Sequence, residues 1–287
     1  MQSQTINGQF NSREYKMILN PVEFSDESEG RKKVIDIIKS QIEKQKGTFE
    51  EDVFDREEKN VWYVDTEKHA LYRINNFIVR VKEETTDNVK KYDVTFKNRD
   101  KDRVRAASHE LSKPVLKPGS TLKDHKFEED ILTLSDRKFS AQAKIEYNQM
   151  PDLKTYQDIL SIYPDLQLDI SPYEILSKVN DFAATEISYD LGKLIFKNGK
   201  KAKVQISLWY SLKDNGRKSI DSIETPLIGE FDIDVKAEAL TGADGSISEE
   251  FPDSIMADID EFYGALQQKD IADKGANKTK TQYAYDY

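Results

Sequence analysis

Residues 61–84, VWYVDTEKHALYRINNFIVRVKEE, contain near their end an alternation of apolar and charged side chains over residues 79–82. Successive side chains of a strand point to opposite faces, so Arg80 and Lys82 share one face while Val79 and Val81 share the other. Such a strand needs a core on one side only. This is typical of an antiparallel sheet whose polar face meets water. The alternative is a cationic surface that binds an anion.

Period-two patterns recur along most of the chain, separated by helical ones. Strands are predicted at residues 13–19, 61–66, 70–74, 77–84, 91–99, 126–134, 137–148, 185–196, 201–212 and 226–238. Apolar residues at helical spacing predict helices at residues 29–47, 151–163, 171–184 and 248–269. Because hairpin signals outnumber parallel crossovers, we predict an α+β fold with a large antiparallel sheet.

The chain divides most simply into one domain and two ends. We expect a flexible N-terminus over residues 1–11 and a single domain over residues 12–268, with a helical insertion near residues 151–185. Residues 269–287 lack a packing pattern and are predicted to form a loose tail. The tyrosines of this tail could still dock on the domain.

The charge balance limits the kinds of partner. A net charge of −10 repels nucleic acid and anionic membranes, so an anion site must be a local concentration of cations. The chain has no cysteine and three histidines far apart, which disfavours disulfides and zinc sites. There is no secretory signal pattern, no apolar run of membrane-spanning length, and no P-loop, dinucleotide-binding or zinc-protease motif. We therefore expect a cytoplasmic protein, with a nucleic-acid partner disfavoured.

Several predicted strands carry their charges on a single face, either alone or in acid–base combinations. The sets include Glu14 with Lys16, Asp93 with Lys97, and Glu230, Asp232 and Asp234. In an open sheet these faces are simply solvated. In a closed barrel one set of faces points into the lumen, where cations and carboxylates must neutralise one another. Such a lumen suits a metal–polyphosphate ligand, since carboxylates bind hard divalent cations and lysine and arginine bind phosphate oxygens.

The order of four short motifs carries a family resemblance. The segments YVDT at residues 63–66, Leu71, VRVK at residues 79–82 and TFK at residues 95–97 follow one another in this order. This order resembles the CYTH, or triphosphate tunnel metalloenzyme, superfamily. The later segments FEEDI and GEFDIDV resemble the acidic strands of that family. The resemblance extends over residues 12–238.

The resemblance implies an eight-stranded antiparallel tunnel with flanking helices that binds and hydrolyses a triphosphate. The substrate would be inorganic triphosphate or a nucleoside triphosphate, with Mg²⁺ or Mn²⁺ as cofactor. The residues that match the phosphate ligands of the family are Lys16, Arg80, Lys82 and Lys97. The candidate metal ligands are Glu14, Glu128, Asp130, Glu230 and Asp232. No catalytic residue and no oligomeric state follow from the sequence.

Two places in the sequence, involving three residues, depart from the family pattern. Ser12 stands where the first glutamate of the N-terminal strand is expected, and Trp209 and Tyr210 stand about where the family tends to place an aspartate. A serine hydroxyl is a poor ligand for a divalent cation. The alternative function is therefore a non-catalytic tunnel protein that binds a phosphorylated ligand or a protein partner. A third hypothesis is an unrelated antiparallel barrel with an apolar ligand.

Overall fold

The structure, a computed structural model, describes residues 11–212, 225–241, 247–251, 253–275 and 278–287. Its strands are β1 (Ser12–Leu19), β2 (Thr48–Thr66), β3 (Phe77–Thr86), β4 (Val89–Asp100), β5 (Ser120–Thr133), β6 (Asp136–Tyr147), β7 (Leu176–Lys178), β8 (Ala184–Ile195), β9 (Lys201–Ser211), β10 (Ile228–Lys236), β11 (Glu238–Thr241) and β12 (Ile247–Glu250). Its helices are α1 (Glu27–Lys44), α2 (Ala70–Asn75), α3 (Arg103–Ala106), α4 (Tyr156–Ile162), α5 (Asp253–Leu266) and α6 (Lys280–Tyr285). Within these ranges, no helix is both long and apolar enough to cross a membrane.

The sheet closes into a barrel, as the tunnel hypothesis requires. Within the described ranges, nine strands follow one another in the order β3-β4-β6-β5-β1-β10-β9-β8-β2, and β2 pairs back onto β3. The predicted count of eight is therefore wrong. The prediction that all pairs are antiparallel is also wrong, because β1 pairs parallel to β5 while it pairs antiparallel to β10. A hairpin forces neighbouring strands to be antiparallel, and β1 has no hairpin connection to β5.

The barrel is apolar outside and polar inside. Helices α1 and α5 cover the outer faces of β1, β8, β9 and β10, and α4 with its flanking segments covers those of β3, β4 and β6. The hydrophobic core therefore lies between the barrel wall and the helices. The opposite faces of the same strands carry the alternating charges and point into the lumen. The alternative of an open sheet with a solvated polar face is therefore wrong.

The segment after β2 differs from its predicted structure. Residues 70–74 were expected to form a strand but belong to α2. Asp65, at the end of β2, accepts hydrogen bonds from the backbone N–H groups of Leu71 and Tyr72 at 2.8 and 3.0 Å. These bonds satisfy N–H groups that a helix leaves unpaired in its first turn, and they make a helix the stable local structure.

The predicted helical insertion near residues 151–185 is only partly helical. It contains α4, whereas residues 171–184 form β7 and a 3₁₀ turn, Val179–Asp181, in place of the predicted helix. β7 pairs with the end of β2, with Ser177 opposite Asp65. The backbone hydrogen bonds of that pairing replace those that a helix would make.

The described part of the C-terminal tail is not loose, so that expectation is wrong. Residues 278–287 include α6, which begins with a capping box between Thr279 and Gln282. Tyr285 is buried and its hydroxyl donates to Asp65 Oδ2 at 3.0 Å. Helix α6 has only six residues, so its apolar pattern is too short to predict a helix from the sequence. The predicted flexible N-terminus lies outside the described residues, except for Asn11.

Candidate functional site

The polar faces of the barrel strands enclose a cavity of about 270 Å³. It is lined by all four predicted phosphate ligands, Lys16, Arg80, Lys82 and Lys97. It is also lined by four of the predicted metal ligands, Glu14, Glu128, Glu230 and Asp232. The fifth, Asp130, lies beside it and pairs with Lys16 at 2.8 Å. The structure thus places the predicted residues in and around one lumen, although they come from five different strands.

The lumen also contains charged residues that the sequence reasoning missed. They include Arg99, Lys126, Glu186 and Lys280. Two of them could have been predicted from the sequence. Arg99 follows Lys97 by two positions and Lys126 precedes Glu128 by two, so each pair lies on one face of its strand. Lys280 carries no such signal. It enters the lumen from α6, which no strand pattern predicts.

The carboxylates of β1 and β5 are held by ammonium and guanidinium groups. Lys16 Nζ lies 2.8 Å from both Glu14 Oε2 and Asp130 Oδ1. Burial alone would raise the pKa of Glu14, but Lys16 and Lys126 outweigh it and lower that pKa to about 2. Burial likewise opposes ionisation of Asp130, yet Arg99, with an Nη2 contact of 2.9 Å, and Lys16 keep its pKa well below the usual range.

Lys97 and Lys126 neutralise the neighbouring carboxylate of Glu128. Lys97 Nζ lies 2.9 Å from Glu128 Oε1, and Lys126 Nζ lies 2.5 Å from Glu128 Oε2. Burial and the nearby guanidinium of Arg99 lower the pKa of Lys97. The cations of this wall are therefore crowded, which favours the approach of a further anion.

Glu186 on β8 collects partners on the opposite side of the lumen. Its carboxylate accepts hydrogen bonds from Lys82, from Trp209 Nε1 at 2.8 Å and from Lys280 Nζ at 3.1 Å. Burial favours the neutral acid, but Lys280, Lys82 and Arg80 keep the pKa of Glu186 well below its usual value. Burial lowers the pKa of Lys82 to about 8, with Arg80 and Lys280 contributing and Glu186 opposing.

Asp232 on β10 is the contrasting case. Burial, Glu230 and Glu14 raise its pKa well above the usual value for aspartate. Its Oδ1 atom is buried and has no hydrogen-bond partner among the described residues. A buried carboxylate beside two others is the position in this lumen where an added cation would be most stabilised.

Arg80 is the lumen cation with the fewest partners among the described residues. It makes no ion pair within 4.0 Å of a carboxylate among the described residues, and its Nε atom is buried without a hydrogen-bond partner there. Tyr63 lies opposite it on β2 and Thr95 on β4. Its guanidinium is therefore available to an incoming ligand.

The three residues that depart from the family pattern lie in different surroundings. Ser12 is buried, with its Cα paired to that of Glu128, and its hydroxyl has no partner among the described residues. Trp209 faces inward and donates to Glu186. Tyr210 faces outward, and its hydroxyl donates to Glu27 Oε2 of α1 at 3.1 Å. Only the tryptophan therefore takes part in the lumen.

The lumen offers oxygen ligands of the kind that Mg²⁺ and Mn²⁺ take in proteins. Glu14, Glu128 and Asp130 each present an oxygen within 4.8 Å of the other two. Their ionic partners Lys16 and Lys97 occupy that space, so a metal there would have to displace an ammonium group. The unpartnered oxygen of Asp232 needs no such displacement. The acidic cluster of Glu14, Glu128 and Asp130 is thus already paired with lysines, and Asp232, which lies outside that cluster, is the lumen carboxylate that best fits a cation.

Comparison with known proteins gives distant likenesses only. No family model matches the chain, and no curated protein matches its sequence. The proposed adenylyl cyclase HpAC1 from Hippeastrum, described with a dominant triphosphatase activity, is 10% identical over 93% of this chain and 92% of that chain, with a TM-score of 0.41. The PH1819 protein from Pyrococcus horikoshii OT3 is 8% identical over 94% and 96%, with a TM-score of 0.37. Scores at this level carry no argument about the chemistry of this chain. The closed barrel with its charged lumen does fit the triphosphate tunnel fold that the sequence resemblance predicts.

Proposed function

We propose that the barrel lumen binds a triphosphate group and that the protein hydrolyses it with the help of a divalent metal ion. The observation that carries this proposal is the convergence of seven cationic side chains on one small cavity: Lys16, Arg80, Lys82, Lys97, Arg99, Lys126 and Lys280. Burying cations is costly unless anions compensate them. Six carboxylates line the same cavity and Asp130 lies beside it, so most of these cations are paired. A polyphosphate would bind Arg80, which has no described ion pair, and would compete with the carboxylates for the other cations.

Arg80 is the proposed central phosphate ligand. Since no described carboxylate pairs with it, a phosphate oxygen can take its N–H groups without breaking an ion pair. Guanidinium groups bind phosphate in two-point geometry, which also orients the ligand. Lys82 and Lys97 flank it on β3 and β4, and both have lowered pKa values caused first by burial. A bound phosphate would stabilise their charged forms.

The proposed metal ligands are Asp232, Glu230 and Glu14. These residues would hold a divalent ion, and the ion would supply stabilisation of the charge that develops as a phosphoryl group is transferred to water. The three carboxylates would share the task of holding that ion, and Asp232 would become ionised in doing so. Lys16, which contacts Glu14 at 2.8 Å, would keep that carboxylate oriented.

One observation favours the alternative of a non-catalytic binding protein. Glu14, Glu128 and Asp130 already have ammonium partners at 2.8–2.9 Å, and Ser12 supplies no carboxylate. Internal cations could thus replace a metal permanently. In that case the protein would bind a phosphorylated ligand or a protein partner without cleaving it.

Phosphate release from tripolyphosphate and from ATP, with and without Mg²⁺ or Mn²⁺, separates these functions. Metal-dependent release that Arg80→Ala abolishes is expected for the enzyme, together with a loss of ligand affinity of about tenfold or more. Arg103→Ala is the matched control, because Arg103 is exposed at the start of α3 and does not line this cavity. Thermal stabilisation by the ligand without release would favour the binding protein. If neither compound binds or is cleaved, both functions are wrong.

A further inference from the structure

A second cavity, of about 510 Å³, lies at the end of the barrel where β2 passes into α2. It is lined by Tyr72, Arg73, Asn76, Arg99, Asp100, Lys101, Arg105, Lys138 and Thr279. Arg99 and Thr279 line the lumen as well. The two cavities therefore adjoin, and this second cavity, which we call the mouth cavity, lies beside the start of α6.

The mouth cavity is strongly cationic in a protein whose net charge is −10. It has five cationic side chains against the single carboxylate of Asp100. That carboxylate is already engaged by Asn76 Nδ2 at 3.1 Å and by the backbone N–H of Asp102 at 2.7 Å. Three of the cations have carboxylate partners: Arg99 pairs with Asp130 at 2.9 Å, Lys101 with Asp136 at 3.5 Å and Arg105 with Asp100 at 3.8 Å. The cations that line the cavity still outnumber its carboxylate, which is the sign of charge that attracts an anion.

Two of these cations are free to bind. Arg73 and Lys138 make no ion pair with any residue in the described part of the chain, whereas all five lysines that line the lumen do. Burial, followed by the charges of Arg99 and Lys101, lowers the pKa of Lys138, while Asp136 and Asp130 oppose this shift. An anion bound between Arg73 and Lys138 would reduce the repulsion among the cations of this cavity.

The aromatic content of the mouth cavity argues against a nucleic-acid base as its ligand. Of the lining residues Tyr72 alone is aromatic, and its ring lies 4.2 Å from that of Tyr285, centroid to centroid, at an angle of 34°. Single-stranded nucleic acid is held largely by bases that stack on open aromatic faces. Tyr72 already packs against Tyr285, and the cavity lining offers no second aromatic ring against which a base could stack.

We propose that the mouth cavity binds the continuation of a phosphate chain whose end lies in the lumen, so that the preferred ligand is a linear polyphosphate longer than triphosphate. This rests on the proposed function of the lumen. Arg99 belongs to both cavities and would contact the chain where it passes from one to the other. Arg73 and Lys138 would bind the phosphates beyond that point.

The test compares the binding of tripolyphosphate and of long-chain polyphosphate to the full chain by calorimetry. The double variant Arg73→Ala, Lys138→Ala is expected to lower the affinity for the long chain by about tenfold, the sum of two partly exposed charge contacts, and to leave tripolyphosphate binding unchanged. The matched control, Arg103→Ala with Lys193→Ala, removes the same charges from exposed positions that line neither cavity. It should change neither affinity by more than a small factor.

The outcomes separate this inference from the proposed function. If tripolyphosphate binds and the long chain binds no more tightly, or if the double variant weakens both ligands alike, the inference about the mouth cavity is overturned while the lumen proposal stands. If tripolyphosphate does not bind, the lumen proposal fails, and a loss confined to the long chain would still support a mouth site. Tighter binding of a 5′-triphosphorylated RNA oligonucleotide than of polyphosphate would also overturn the inference.

Discussion

Lys280 Nζ lies 3.1 Å from Glu186 Oε2 inside the barrel, although the two residues are 94 positions apart in the chain. The same ammonium donates to Ser207 Oγ at 2.6 Å and lies 5.3 Å from the centre of the Trp209 ring. The C-terminal helix α6 thus contributes one of the cations of the lumen. The end of the chain is part of the candidate site.

Replacing Lys280 by alanine should therefore weaken both the fold and the site. Glu186 would keep Lys82 and Trp209 as partners, so we expect a loss of about 1–3 kcal/mol in the free energy of unfolding, as for removal of one charged hydrogen-bond partner. Chemical denaturation measures this loss. Lys278→Ala is the control, because Lys278 is exposed and pairs with Asp286 at 2.8 Å. Equal stability of the two variants would contradict the buried contact.

The pKa of Lys82, lowered to about 8 chiefly by burial, predicts a pH dependence of ligand binding. The free protein loses the positive charge of Lys82 as the pH rises through 8, so the affinity for tripolyphosphate should fall above that pH. Isothermal titration on either side of pH 8 measures it. Lys82→Met should flatten this part of the profile, whereas Lys90→Met, at an exposed lysine paired with Glu83, should not. Identical profiles for Lys82→Met and the unmodified protein would refute the assignment.

The lowered pKa of Lys82 predicts the opposite pH dependence for the stability of the folded protein. The folded-state pKa of Lys82 lies below the unfolded value, so between pH 8 and 10.5 the unfolded chain binds a proton that the folded chain does not. Stability rises with pH wherever the unfolded state binds more protons. The contribution of Lys82 to stability should therefore increase across this window, and Lys82→Met should remove that increase. Urea denaturation at several pH values measures the difference.

The sequence predicts those parts of the site that depend on residues close together in the chain, and not those that depend on contacts between distant segments. The period of two places Lys16, Arg80, Lys82 and Lys97 on one face of each strand, and the closed barrel turns these faces inward. That part follows from local geometry. The strand count and the parallel pairing of β1 with β5 do not, because they depend on which strands meet at the closure of the barrel.

The errors have local causes that only the folded chain displays. The helix α2 forms where a strand was predicted because Asp65 accepts two of its first N–H groups. Lys280 reaches the lumen because α6 docks through Tyr285 on that same Asp65. Asp65 contacts both α2 and Tyr285, which is 220 positions away, and this leaves no periodic pattern in either segment. Local sequence patterns are therefore blind to it.

Gly192 on β8 should be hard to replace. Its φ of +128° lies where L side chains are rarely found, and a Cβ there would lie 2.1 Å from the backbone oxygen of Glu50 on β2. Gly192→Ala should therefore cost about 2–4 kcal/mol in the free energy of unfolding through strain and a shifted strand pairing. Gly199→Ala is the control, since its φ of +83° carries strain but its Cβ would meet nothing within 4 Å. It should cost about 1 kcal/mol, and equal losses would mean that the close approach of β2 and β8 is unimportant.

Asp232 gives the sharpest test of the metal hypothesis, because burial, Glu230 and Glu14 raise its pKa in the folded protein. For an acid with a raised folded-state pKa, the folded chain binds more protons, so stability falls as the pH rises from the usual aspartate value towards the folded one. Asp232→Asn should remove this fall and stabilise the metal-free protein at neutral pH. The amide keeps the shape of the side chain without its charge.

In the presence of Mn²⁺ we expect the unmodified protein to be more stable than Asp232→Asn. The ion should raise the melting temperature of the unmodified protein through binding to the native state, and Asp232→Asn should lower its affinity by about 10- to 100-fold, a loss typical even for groups that only orient a ligand. Asp234→Asn is the matched control, because Asp234 lies two positions further on β10 and also has a raised pKa, caused first by burial, but it does not line the lumen cavity. If Mn²⁺ stabilises the protein and Asp232→Asn equally, Asp232 is not a ligand. If it stabilises neither, the internal lysines have replaced the metal, and the lumen is a binding site without metal-dependent hydrolysis.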